Sequence, residues 1–510
     1  MKHLVVVGGG TSGWLAAMIL SETARQKRQA LKVTVVESSK IPVIGVGEAS
    51  TVVLNFVLEH FGIDPLTFLR GTRGSVKFGI RHKDWRRVGY TYQGPLDEPH
   101  QLVKGAEGSQ LLNVYQIAAG RPAAELHLFD RLMHGDLSPY RRKSDGQLAP
   151  VSPYAFAYHF DNAELGRFLR ERAEGLETVD ALVTGVEKDS ESGAIGALVL
   201  DDGSRLAADF FVDCTGFRRQ LIQKEMGAEW ISFGDELPVN RAMPFWLEHE
   251  PGAPVAPYTL AWARDAGWMW FIPTQDRYGC GYVYSDRFLT PDQAKEEAER
   301  ALGHPIDVRA DIRMSVGRLD RPWVKNCLAM GLASGFLEPL EATSIHGTIV
   351  QLLVFAADYM KWPFRPDESD IAEYNRRIGW QVDDFRTFVN CHYVTERDDT
   401  PFWRYVREHC IHPEARERLA AWKERMPSAD DFPPFLSGFP HTDATLYYPV
   451  LDGLGLLRRE VAQREMAGKP KLRQQAREIS EKMRRTFSQA ASGALGHREL
   501  LETLAGAPLG

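Results

Sequence analysis

The hexapeptide Gly8-Gly9-Gly10-Thr11-Ser12-Gly13 constrains this chain more than any other stretch. Before it stands the aliphatic run Leu4-Val5-Val6-Val7, expected as a buried parallel strand. After it, Trp14 to Thr23 carries Ala16, Ala17 and Ile19 on one side and is expected as a helix. Lys32-Val33-Thr34-Val35-Val36-Glu37 then reads as a second strand. Strand, glycine turn, helix and strand make a βαβ unit. Gly8, Gly10 and Gly13 match GxGxxG: the first permits a tight turn, the second lets backbone approach a pyrophosphate, and the third lets helix pack on strand. Thr11 and Ser12 open the helix, whose N-terminal N–H groups face the anion. Glu37 is placed to accept hydrogen bonds from a ribose. The unit predicts dinucleotide binding, without choosing between FAD and NAD.

Composition narrows the class. With 510 residues, 44% hydrophobic and 25% charged, the chain is globular and large enough for two or three intergrown domains. Its 61 Lys+Arg against 68 Asp+Glu leave a net charge of −7, no general footprint for nucleic acid. Cys214, Cys280, Cys327, Cys391 and Cys410 are scattered and form no CxxC pair, which argues against a disulfide framework and a structural zinc site; no metal is expected. No apolar run reaches the ~18 residues of a membrane span. The N-terminal run ends at Gly8, short of the ~7–15 residues of a signal-peptide core. A cytoplasmic protein is expected, as a monomer or homodimer.

Further along, residues 85–160 are rich in Pro, Gly and Tyr and predict loops and short elements. Thr178 to Val212 and residues 255–285 predict small sheets, with Tyr258-Thr259-Leu260 and Tyr282-Val283-Tyr284 as strands. From Ser344 helices dominate, punctuated by Pro363, Pro366, Pro433, Pro434 and Pro440, and Pro470 to Gln489 predicts a charged helix with a solvated face. Asp209 to Gly216 reads as a strand entering a small-residue turn, and Asn326 to Phe336 as a strand followed by a Gly/Ala turn. This three-segment layout resembles flavoproteins of the aromatic-hydroxylase type. The resemblance implies FAD, with Gly331, Phe336 and Leu337 lying beside the isoalloxazine. Leu332 stands where many of those proteins carry Asp. The fold class expected is α/β: a discontinuous Rossmann-type FAD-binding core with an inserted β-sheet over 1–360, and a mostly helical substrate cap over 361–510.

Gly267-Trp268-Met269-Trp270-Phe271-Ile272-Pro273 is, on physical grounds alone, an aromatic strand ended by proline. It also resembles the GWxWxIP motif of the flavin-dependent tryptophan halogenase family. Ile44-Gly45-Val46-Gly47-Glu48-Ala49-Ser50-Thr51 is similar to that family's flavin strap, with Gly47, Glu48 and Ala49 against the cofactor. Lys77-Phe78-Gly79-Ile80 followed by Trp85, Tyr158-His159-Phe160-Asp161, and Asp213 to Arg219 also fit. Phe336-Leu337-Glu338-Pro339-Leu340-Glu341-Ala342-Thr343-Ser344 resembles the stretch that holds the second catalytic residue and the halide site.

The resemblance implies an enzyme that uses FADH₂, O₂ and halide to make hypohalous acid, which travels inside the protein to an aromatic substrate. Lys77 would hold and polarise the oxidant, and Glu341 would stabilise the cationic ring or take its proton. Backbone N–H groups near Thr343 and Ser344 would hold bromide or chloride; Ser344 replaces the family's usual Gly, and either residue could instead simply cap the following helix. Trp268 and Trp270 would wall the flavin off from the passage. Tyr447-Tyr448 resembles a pair that contacts the amino-acid part of tryptophan, yet no clear glutamate for an ammonium follows, and the loop expected at Tyr90–Gly94 departs from the family version. These departures favour indole or another electron-rich aromatic over free tryptophan. A separate flavin reductase is the implied partner. The rival readings are an aromatic monooxygenase and a non-catalytic flavin-binding relative.

Overall fold

The computed structural model describes residues 1–41, 47–97, 106–432 and 441–506. Ile44, Gly45 and Val46 of the strap, and Pro433, Pro434 and Pro440, lie outside them.

The first layer is a six-stranded sheet in the order Glu177–Asp180, Lys32–Glu37, His3–Val7, Phe210–Asp213, Cys327–Ala329 and Trp323–Val324. All pairings are parallel except the last. Leu4 and Val6 point into one apolar cluster while Val5 and Val7 point into another, because both faces are covered. That is why Leu4–Val7 is continuously apolar rather than alternating. Strands from the beginning, middle and later parts of the chain lie side by side in this sheet. The helix Thr11–Gln26 is longer than the expected Trp14–Thr23, because the glycine turn runs directly into it.

The second layer is a seven-stranded sheet: Ile312–Arg313, Arg241–Leu247, Tyr278–Tyr284, Gly267–Pro273, Thr259–Ala263, Gly79–Lys83 and Thr91–Pro95. Alternation along Gly267–Pro273 sends Trp268, Trp270 and Ile272 to one core cluster and Met269 and Phe271 to another. The expected loop at Tyr90–Gly94 is mostly the edge strand of this sheet, paired antiparallel from His82↔Tyr92 to Gly79↔Pro95. A small sheet of Gly47–Ala49, Ala157–Asp161 and Ser75–Lys77 stitches the strap to the strand ending in Lys77. The antiparallel strands Val183–Lys188, Ile195–Leu200 and Arg205–Ala207 form the small sheet expected after Thr178.

Residues 85–160 hold more helix than expected: Ala106–Ala118 and Leu128–His134. The first is stabilised by a distant partner, the helix Pro470–Ser492, through Ser480 Oγ donating to Gln116 Oε1 at 3.2 Å. Ala476, Ser480, Met483 and Phe487 form that partner's buried face, leaving its charges to solvent. Helices Thr343–Val354, Glu368–Cys391 and Ala444–Gly453 carry the chain across the functional region. All five cysteines are free. Among the described residues no helix is long and apolar enough to cross a membrane.

Candidate active site

At the dinucleotide turn, Gly8 has φ +113° and a Cβ there would sit 2.3 Å from the Cys214 carbonyl oxygen. A Cβ on Gly13 would sit 1.8 Å from the Gly8 oxygen, so neither position admits a side chain. Gly10 faces open space: nothing lies within 4 Å of its would-be Cβ. It is the N-cap of Thr11–Gln26, and no side chain caps that helix, so the first-turn N–H groups at Thr11 and Ser12 are available to an anion. Glu37 lies against Gly9 with its Oε1 3.0 Å from an Arg170 guanidinium nitrogen. Gly331, at φ +62°, packs so tightly on Ser12 that a Cβ would come 2.2 Å from Oγ. Phe336 pairs with Gly317 and stands edge-on to Phe217, and Leu337 is buried behind it. In the strap, Gly47, Glu48 and Ala49 pair with Asp161, Phe160 and His159. Burial, helped by Asp161, pushes the Glu48 carboxyl up to about 7. Thr51 Oγ1 meets Nδ1 of His346 at 2.9 Å, tying the strap to the first turns of Thr343–Val354.

Lys77 ends its strand buried, with Nζ donating to the Ser50 carbonyl at 3.2 Å. Burial pulls its ammonium down to about 8, against the attraction of Glu341. Glu341 closes the short turn Pro339–Glu341. Two residues the sequence reading passed over surround it: Nε2 of His392 at 2.8 Å and Nε2 of His82 at 3.6 Å from Oε1. Burial works to raise the Glu341 carboxyl, but these two rings outweigh it and hold it well below the usual carboxylate range. Although Nε2 of His392 is this close to Oε1, its geometry does not make an in-line hydrogen bond. Burial lowers His82 to about 4, against the pull of Glu341, leaving a neutral imidazole. The available signal for His82 was alternation: Ile80 and His82 are both inward positions of Gly79–Lys83.

Trp268 is fully buried, and its Nε1 donates to Glu338 Oε2 at 2.7 Å, which also accepts from Tyr393 Oη at 2.7 Å. Burial raises Glu338 to about 7 against those two bonds. Trp270 lies over Gly281, where a Cβ would meet its ring at 2.0 Å. The ring centroids of Trp85 and Trp268 are 6.2 Å apart.

Thr343 and Ser344 begin Thr343–Val354, but neither caps it. The N-cap is Ala342, at φ +54°, with no side-chain hydrogen bond, so first-turn N–H groups remain for an anion. Tyr447 and Tyr448 are fully buried and engaged elsewhere: Tyr447 Oη accepts from Arg418 at 3.1 Å, and Tyr448 Oη donates to the Pro427 carbonyl at 2.8 Å. Neither hydroxyl reaches Glu341. A cavity of ≈ 640 Å³ beyond Tyr92 is lined by Arg81, Arg121, Asp130, His134 and Asp452 among others. Tyr92, which lines this cavity, stacks on His82 at 4.6 Å, and Nε2 of His82 is 3.6 Å from Oε1 of Glu341.

The sequence profile of the family described as Tryptophan halogenase matches residues 3–464. The chain is 33% identical over 488 residues to 7-chloro-L-tryptophan 6-halogenase KtzR of Kutzneria sp. (strain 744), covering 89% of this chain and 91% of that one. It is 32% identical over 493 residues to tryptophan 7-halogenase RebH of Lentzea aerocolonigenes, covering 90% of each. Among solved structures, Xcc4156, a flavin-dependent halogenase from Xanthomonas campestris, superimposes with a TM-score of 0.83 at 32% identity, over 100% of this chain and 99% of that one. These likenesses span the Rossmann core, the inserted sheet and the helical region together, and favour halogenation over the rival hydroxylase. The chain belongs to the tryptophan halogenase family and is a flavin-dependent halogenase.

Proposed function

We propose that the chain halogenates an electron-rich aromatic of the indole kind, with Lys77 holding the electrophilic halogen and Glu341 receiving the proton that the ring gives up. The observation that carries this is a pair of opposite charges from distant parts of the chain, Lys77 and Glu341, both buried and close enough for one to act on the other. The dinucleotide turn fits FAD: Gly10 is open, the helix start is uncapped, and Gly331 closes on Ser12 with no room for a side chain. Gly8 to Gly13 would hold the pyrophosphate, Glu37 the ribose, and the Gly331–Leu337 turn with Gly47–Ala49 would flank the ring system. Reduced flavin, delivered by a separate reductase, supplies hypohalous acid when O₂ and halide meet it there.

The chain's own residues do the rest. N–H groups at Thr343 and Ser344 hold the halide at the start of a helix. Trp268 and Trp270 keep water from the passage, and Glu338 fixes the first of them. Lys77, as an ammonium, donates to the oxygen of hypohalous acid and makes the halogen more electrophilic. The ring carbon bonds the halogen as the O–halogen bond breaks, and the departing hydroxide takes a proton from the Lys77 ammonium and leaves as water. The ring proton passes to a Glu341 oxygen, restoring aromaticity and leaving a proton on Glu341 that replaces the one Lys77 gave up. Glu341 suits this role because its carboxyl is held well below the usual carboxylate range and so stays anionic.

Indole is favoured because both tyrosine hydroxyls are engaged within the core and offer no clamp for an amino-acid head group. Free tryptophan is the second reading, supported by the cavity beyond Tyr92, where Asp452 and Arg121 could meet an ammonium and a carboxylate. Equal indole and tryptophan, supplied together with reductase and bromide, decide between them. Faster conversion of indole at its most electron-rich pyrrole carbon supports the first reading. Faster conversion of tryptophan on its benzo ring supports the second.

A further inference from the structure

Outside the family roles given above, His82, Glu341 and His392 form a cluster of another kind. Their ligating atoms all lie within 4.8 Å of one another, and all three side chains are buried. An ion about 2.0–2.2 Å from imidazole nitrogen and carboxylate oxygen needs donors roughly 3–4 Å apart. The 2.8 and 3.6 Å separations at Glu341 Oε1 fall close to that range.

The outer contacts of the two histidines point the same way. Nδ1 of His392 is 3.1 Å from the Phe388 carbonyl, which can only accept, so Nδ1 is the donor there and Nε2 is the nitrogen turned toward Glu341. Nε2 of His392 has no in-line hydrogen-bond partner, and neither nitrogen of His82 has one. Buried imidazole nitrogens without partners are costly. Both rings are held in place: His82 stacks on Tyr92 at 4.6 Å and 7°, and the two histidine rings are 5.2 Å apart.

We propose that His82, Glu341 and His392 bind one divalent cation of the zinc type, and that its binding withdraws Glu341 from proton transfer. Two imidazoles and one carboxylate suit Zn²⁺, Co²⁺ or Ni²⁺ rather than Mg²⁺ or Ca²⁺, which favour oxygen ligands. Three protein ligands leave a coordination position for water. The nearby Lys77 ammonium opposes a second cation, so the site is a reversible inhibitory one rather than a permanent holding site. The binding claim stands without the catalytic roles proposed above; only the inhibitory consequence rests on them.

The test is titration of the metal-free full-length protein with cobalt(II), followed by visible absorption. We expect about one ion per chain, displaced by zinc, and a His82→Phe variant that binds at least about tenfold more weakly. No cobalt bands, or equal affinity in the variant, would overturn the site. If His82→Phe fails to fold, X-ray absorption of the zinc-loaded wild type replaces it. An imidazole-containing N/O shell supports the site, and sulfur ligands or an all-oxygen shell refute it. With zinc filling the site, turnover should stop and return on chelation; full turnover with zinc bound would overturn the inhibitory role.

Discussion

Nε2 of His392 lies 2.8 Å from Oε1 of Glu341, while the same ring's Nδ1 meets the carbonyl of Phe388 one helical turn earlier. The end of Glu368–Cys391 therefore orients the ring that keeps the glutamate anionic. Glu341→Gln preserves the shape but removes the base. Halogenated product should fall by about 10²–10³-fold while hypohalite still forms, as read by a diffusible β-diketone trap. Loss of trap signal together with product would place Glu341 upstream of oxidant formation.

Burial pulls Lys77 down to about 8, and Glu341 opposes that shift. The active form is the ammonium, so activity should be full below that value and fall as pH rises through it. Glu341→Gln removes the opposing charge, so the residual activity should fall at lower pH than in the wild type. A pH profile of single-turnover product formation checks both the position and the direction of that limb.

Gly331 is left-handed and in contact with Ser12. In Gly331→Ala the left-handed backbone alone costs about 1–2 kcal/mol, and the new methyl must also displace Ser12. FAD affinity, measured by flavin fluorescence quenching, should fall at least about tenfold. Unchanged affinity would mean that the turn does not shape the cofactor site.

Trp268→Phe keeps the aromatic surface but removes the donor to Glu338, whose other oxygen already lacks a partner. A stability loss of about 1–3 kcal/mol is expected, read as a lower melting midpoint. More oxidant should also be lost to water, read as flavin oxidised per product formed.

Much of the core is legible in the sequence because its signals are local. A continuous aliphatic strand, three spaced glycines and a terminal Glu37 encode one βαβ unit, and the motif around Trp268 ties it to a family. Ala106–Ala118 is not legible, because it packs on Arg459–Met466 and Pro470–Ser492, both far along the chain. Tyr90 to Gly94 reads as a loop because edge-strand pairing with Gly79–Lys83 leaves little local pattern. Lys77 and Glu341 are reached through motifs, whereas His82 and His392 meet Glu341 only through the packing of a strand against a helix end. Tyr447 and Tyr448 are also reached through a motif, but the partners of their hydroxyls, Arg418 and the Pro427 carbonyl, come from other parts of the chain and are not readable in it.

The central claim is that Lys77 activates the halogen after the flavin step. It is tested most directly by mass spectrometry of indole reactions containing reductase, FAD and bromide, run with wild type and Lys77→Ala, with FAD binding measured on the same samples. The account predicts paired bromine isotope peaks from the wild type, none from Lys77→Ala, and FAD affinity within about twofold between them. Near-normal brominated product from Lys77→Ala, or gain of one oxygen instead of bromine by the wild type, would contradict it.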